Sequence, residues 1–181
     1  MQSFTTKQLN NLNEMFEYRK YKQTTFHLSS NDMLFFSKGI DDQLVCVKFI
    51  DIEKINVDNV RIFIAYLDKH DISHGIIICK NEPSIQVMKE ILTLTIVFEI
   101  FYANQLNINI SKHSLVPIHT LLSTEDAERV KKDYAVSFAK FPRIKYRDPM
   151  ARYIGAEVGN LIKIEKPGQY ITYRYVIRDK L

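Results

Sequence analysis

The spacing of apolar positions divides the chain into alternating helical and extended stretches. Over residues 6–20, Leu9, Leu12, Met15 and Phe16 recur at helical intervals with polar residues between them, which predicts an amphipathic helix. Residues 43–50 are a short, valine-rich run, and residues 57–67 then place Val60, Ile64 and Leu67 on one helical face. The same order repeats downstream. Residues 75–79 are a continuous apolar segment of strand length, after which Pro83 and Ser84 suit the start of a helix carrying Ile85, Met88 and Leu92. Residues 95–101, dense in β-branched and aromatic side chains, predict a further strand. Short buried strands alternating with helices imply an α/β domain with a mixed, partly parallel sheet over residues 1–110.

From Ser111 onward the texture changes, and four of the five prolines and three of the five glycines fall in the last 71 residues. A second domain, residues 111–181, is expected there. Ser123-Thr-Glu-Asp126 opens a helix with Ala127, Val130 and Tyr134 on its apolar face. Asp148 and Pro149 suit the N-cap and first position of another short helix, which Gly155 ends in the left-handed conformation. Residues 161–164 and 170–177 read as an antiparallel hairpin turning at Pro167-Gly168. The second domain is therefore α+β.

Composition narrows the picture. With 46% hydrophobic and 25% charged residues in 181, the chain is globular in character. The longest apolar stretch, residues 91–103, is broken by Thr93, Thr95 and Glu99, short of the ~18 uninterrupted apolar residues of a membrane span. It reads as core. No run of signal-peptide character opens the chain, so an intracellular protein is expected. Cys46 and Cys79 lie inside apolar runs and behave as small hydrophobes, neither a disulfide nor a metal pair. The net charge of +4 is unevenly spread. Residues 1–110 carry 11 Lys/Arg against 13 Asp/Glu and residues 111–181 carry 14 against 8, or −2 and +6. The basic third points to a solvated or protein-facing surface before nucleic acid.

Three patterns in that third carry a resemblance. They are His113-Ser-Leu-Val-Pro-Ile-His119 followed by Leu122 and Glu125; Phe141-Pro-Arg-Ile144 leading to Asp148-Pro-Met-Ala-Arg-Tyr-Ile-Gly155; and Lys163-Ile-Glu-Lys-Pro167 with Tyr170-Ile-Thr-Tyr-Arg174. In order and spacing they resemble the C-terminal assembly domain of the fifth subunit shared by eukaryotic DNA-dependent RNA polymerases, a module similar to its small archaeal counterpart. The likeness continues more weakly over residues 57–110, through Asn107-Ile-Asn-Ile110, and only in outline over residues 1–56. It implies that residues 1–110 are a jaw of restriction-endonuclease-like α/β fold reaching downstream double-stranded DNA. It implies that residues 111–181 dock on the largest subunit, among the other polymerase subunits, with Pro142, Arg143, Asp148, Arg152 and Tyr153 in that surface or its support. His113, Val116, Pro117, His119, Gly155, Pro167, Tyr170, Tyr173 and Arg174 belong to the motifs' framework. The function implied is transcription as a non-catalytic subunit, with no cofactor, metal, membrane or small-molecule substrate.

Departures from the pattern are Ser114, Lys166 and a short loop from Pro167 to Tyr170. The Ile-, Asn- and Lys-rich composition suggests a large DNA virus or another AT-rich genome. Location would then be the cytoplasm or virion, and the nucleus for a cellular protein.

Each motif also has a plain physical reading. His113 and His119, six apart around a proline, fit a loop entering a helix better than a metal pair. Arg143, Arg147 and Arg152 suit an interface, where guanidinium forks meet carboxylates and carbonyls, more than open solvent. Tyr170, Tyr173 and Tyr175, interleaved with Arg174 and Arg178, mimic a single-strand stacking platform, although hairpin packing accounts for them as well. The rivals are a metal-dependent nuclease and a stand-alone nucleic-acid-binding protein. A nuclease strand of the implied fold needs an acidic residue two before Lys48, where Cys46 stands, a poor ligand for Mg²⁺. Asp51 and Glu53 are near, but Lys54 follows Glu53 without the spacer.

Overall fold

The computed structural model describes residues 4–24, 32–38, 43–94, 96–166, 168 and 170–178. The chain divides into two compact units, Met1–Ile108 and Asn109–Leu181. Each carries a mixed sheet with helices. Among the described residues no helix is long and apolar enough to cross a membrane.

The first unit orders its strands β1 (Tyr21–Thr24), β2 (Met33–Lys38), β3 (Leu44–Ile50), β4 (His74–Cys79) and β5 (Val97–Tyr102) side by side. Pairing is antiparallel from β1 to β3 and parallel from β3 to β5. The parallel half is the alternation read from sequence, since each crossover is one helix, α2 (Val57–Lys69) or α3 (Ile85–Leu92). Neither β1 nor β2 was expected. Helix α1 (Thr6–Tyr18) starts at a reciprocal cap, where Thr5 Oγ1 accepts the Gln8 N–H and Gln8 Oε1 accepts the Thr5 N–H. It buries Leu12, Met15 and Phe16 on one face of the sheet, with Phe16 against Phe36 at 4.4 Å. The other face packs under α2 and α3 around Phe35, Cys46, Phe63, Leu67, Ile77 and Phe98.

Two details of the helices depart from expectation. In α3 the buried residue is Val87, while Ile85, at the first position beside the Ser84 cap, is 72% exposed. Val87 is fully buried and Met88 packs half-buried against the same core, so α3 turns Ile85 outward. In α2, Phe63 joins Val60 and Leu67 in the core, leaving Ile64 half-buried. The strand expected from Thr95 begins at Val97, and Thr95 itself lies outside the described residues.

The second unit orders its strands β6 (Ile118–Leu121), β8 (Leu161–Lys166), β9 (Tyr170–Ile177) and β7 (Arg143–Lys145), the last pair parallel and the others antiparallel. Helix α4 (Thr124–Asp133) opens at Ser123, whose hydroxyl accepts the Asp126 N–H. Helix α5 (Pro149–Tyr153) opens at Asp148, whose Oδ1 accepts the N–H groups of Met150 at 2.9 Å and Ala151 at 3.4 Å. Gly155, at φ 70°, takes the left-handed conformation after its end. One face of the sheet, with Leu161, packs Ala127 and Phe141, and there Phe138 stacks on Tyr175 at 5.7 Å. The opposite face holds an open cleft.

Candidate docking surface

The nuclease reading is tested on β3 and the loop after it. Cys46 is fully buried, and burial pushes its thiol up to about 12. Strand alternation turns it into the α2 and α3 core, away from water and from any hard cation. Asp51, Glu53 and Lys54 are exposed beyond the strand end. Glu53 is occupied by Lys80 at 2.6 Å, a pairing that holds its carboxyl below the ordinary range. No group of three or more His, Cys, Asp and Glu among the described residues could hold a metal ion. The arrangement of β3 does not supply the ligands of a Mg²⁺ nuclease.

The first unit does contain a buried charged cluster with no signal in sequence. Arg19, just beyond α1, forks onto Glu99 of β5 with both bonds at 2.8 Å, and its side chain is 1% exposed. His74 Nε2 of β4 lies 3.0 Å from Glu99 Oε1. Tyr21 of β1 lies under the guanidinium, 5.6 Å from ring centre to carbon. Burial opposes the charge on Glu99, but Arg19 and the His74 ring outweigh it and hold the carboxyl well below its usual range. Burial pushes His74 down, with only partial offset from Glu99, so the ring is neutral near pH 7. With Nε2–H donating to Glu99, Nδ1 is buried without a partner among the described residues. The cluster ties α1, β4 and β5 together. The side chains of Arg19, His74 and Glu99 are all buried.

In the second unit the three sequence patterns meet. A cleft of about 450 Å³ is walled by Leu115, Val116, Pro117 and His119 from the first pattern. Ile144, Asp148 and Met150 enter from the second, and Ile164, Lys166, Tyr170, Thr172 and Arg174 from the third. The chain folds this way because β-structure sends alternate residues to opposite faces. Tyr170, Thr172 and Arg174 of β9 line the cleft, while Tyr173 and Tyr175 turn into the aromatic cluster with Phe141 and Phe138. The tyrosines therefore do not form one stacking platform. His119 is buried, its Nδ1 2.7 Å from the Pro117 carbonyl, and it sits in β6 opposite Ile164. The histidine pattern thus leads into a strand, not directly into a helix as expected. His113 is exposed outside the cleft, its Nδ1 accepting the Leu115 N–H.

Of the residues expected at an interface, Asp148 alone lines the cleft. Pro142 and Arg143 are exposed on and beside the edge strand β7, and Arg152 is half-buried. Tyr153 is buried at 7% and belongs to the support, not to the exposed surface. Gly155 shapes the end of α5, and Pro167 lies outside the described residues. Leu115, Ile144, Met150, Ile164, Lys166 and Thr172 were missed as cleft residues. The period-two alternation of β8 and β9 was the available signal, because it places Ile164, Lys166, Tyr170, Thr172 and Arg174 on one face.

Fold and cleft together define an α/β unit followed by a small α+β unit that carries an open cleft. Residues 108–176 match the family model of the RNA polymerase Rpb5 C-terminal domain. The chain is 31% identical to the DNA-directed RNA polymerases I, II, and III subunit RPABC1 of Caenorhabditis elegans, and equally to that of Caenorhabditis briggsae. Those alignments cover 72% of this chain and 65% of each relative, so the chain spans about two thirds of their length. To the Dictyostelium discoideum subunit rpabc1 it is 27% identical, over 88% of this chain and 85% of that protein. The chain is thus similar to RNA polymerase subunits of the Rpb5 type, with the family-model match lying in residues 108–176.

Proposed function

We propose that this chain is a non-catalytic subunit of a multisubunit DNA-dependent RNA polymerase, acting in transcription by joining the two units' separate tasks. The observation that carries the reading is the convergence of all three family patterns on one cleft of the second unit. Residues that pack only for stability have no reason to gather around an open surface. The second unit docks on the largest subunit, with Pro142, Arg143, Asp148 and Arg152 on or beside the contact and Tyr153 beneath it. The first unit is the jaw, and its mixed sheet with flanking helices accords with a restriction-endonuclease-like layer. It contacts downstream duplex through backbone phosphates, which position DNA without reading sequence. Synthesis belongs to other subunits, no cofactor is required, and the protein works where its polymerase transcribes, the nucleus for a cellular enzyme and the cytoplasm or virion for a viral one.

The test is affinity purification of the tagged chain from its native or infected cells. Wild type brings down the largest subunit, whereas Arg143→Ala with Arg152→Ala lowers its recovery at elevated salt. Truncating one partner of an interfacial charge pair costs about 2–5 kcal/mol. Normal recovery of the polymerase by the double variant removes these arginines as anchors, and absence of polymerase from the wild-type eluate removes the reading itself.

A further inference from the structure

The cleft has an internal order that specifies what lies in it. The register of β8 and β9 aligns three rows along its floor: Ile162 with Arg174, Ile164 with Thr172, and Lys166 with Tyr170. The rows holding Arg174 and Lys166 are four residues apart, about 13 Å at ~3.3 Å per residue. Between them the lining is apolar at Ile164, Met150 of α5 and Ile144 of β7, with Thr172 and the buried His119 beside Ile164. Neither Lys166 nor Arg174 forms an ion pair with a carboxylate among the described residues, although Glu165 beside Lys166 pairs with Lys163 on the opposite face. Asp148 is the acidic group at the cleft, and its Oδ1 accepts the first N–H groups of α5, which directs its charge to the helix end.

We propose that the cleft receives an extended acidic peptide segment of a partner protein, with carboxylates at positions i and i+4 and a large apolar side chain at i+2. In an extended segment these three side chains point the same way, and the outer two are about 13 Å apart, matching Arg174 and Lys166. The middle one fills the apolar floor. That floor separates this occupant from duplex nucleic acid, whose evenly spaced backbone phosphates offer nothing to bury between the two cations. The inference rests on reading the second unit as an assembly domain and supplies the chemistry of the segment it grips.

The experiment is fluorescence anisotropy of the full chain with a labelled serine-rich peptide containing Glu-Ser-Leu-Ser-Glu. Saturable binding is expected, weakened by replacing the peptide's Leu with Ser. Lys166→Glu with Arg174→Glu weakens it about fivefold, the scale of two exposed ion pairs, and reverses preference toward the Lys-Ser-Leu-Ser-Lys peptide. Both substitutions are at exposed positions, and an unchanged circular dichroism melt shows that the variant is folded. Three results overturn the proposal: no saturable binding up to about 1 mM, binding unaffected by the charge reversal, or tighter binding of a single-stranded oligonucleotide that the reversal abolishes. Recovery of polymerase by the wild-type chain is scored separately. Its absence would fell the subunit reading, whereas the peptide measurement still decides the cleft.

Discussion

At the scale of single residues, the strongest constraint lies in the first unit at Arg19, Glu99 and His74. A fully buried ion pair contributes little over a well-packed apolar core, but losing one partner leaves an uncompensated charge. Glu99→Gln therefore destabilises the chain by about 3–5 kcal/mol, read as a lower urea midpoint in chemical denaturation. The pH dependence follows from both shifts. The folded pKa of His74 lies below the ordinary ~6.5, so its contribution is full above that value and declines as pH falls toward the folded pKa. That of Glu99 lies below the ordinary ~4.3, so its contribution is full above that value and declines below it. Stability should fall in two steps on acidification, and His74→Gln should remove the upper one. A midpoint that stays level from neutral pH to about 5 in the wild type would contradict the neutral buried ring.

At the scale of elements, caps and periodicity were readable because their causes are local. Ser84, Ser123 and Asp148 cap the helices expected of them, since each side chain needs only the N–H groups two or three residues ahead. Strands β1 and β2 escaped notice because Tyr21–Thr24 is polar and half-exposed, and Met33–Lys38 shows no clean alternation. Their partners are one another and β3, and the sheet makes them strands. A close fit between elements is found where β4 passes under α2. A Cβ on Gly75 would stand 2.4 Å from Leu67 Cδ1 and 3.2 Å from Phe63. Gly75→Ala is expected to cost about 1–3 kcal/mol through overpacking, measured as a lowered Tm, and combined with Leu67→Ala the total loss should be smaller than the sum of the two separate losses. Additive losses in the double variant would show that this contact is not the source.

At the scale of the whole molecule, two units with their own sheets predict separable tasks. Residues 109–181 alone should co-purify with the polymerase, and residues 1–108 alone should not, because the family patterns and the cleft lie in the former. A core of that size supplies only about 3–5 kcal/mol, so docking should also raise the fragment's Tm. On the proposed reading of the first unit as a jaw, polymerase containing the fragment should release downstream duplex at lower salt than polymerase containing the full chain. Assembly through residues 1–108 would reverse the assignment of tasks. Equal retention of DNA would remove the jaw from the reading.

The sequence by itself determined the parallel half of the first sheet, the capped helices, the hairpin of β8 and β9, and the family resemblance, because these depend on periodicity, local hydrogen bonding and motif order. It also showed that Cys46 stands where a metal ligand would be needed. Only the tertiary structure decided that Val87 and not Ile85 is buried, that Tyr173 and Tyr175 face away from Tyr170, and that Arg19 meets Glu99 across 80 residues. The cleft belongs to the same class. Its walls come from three stretches of chain whose side chains share a face only after strands have paired in register, and pairing between distant segments leaves no period in any one of them.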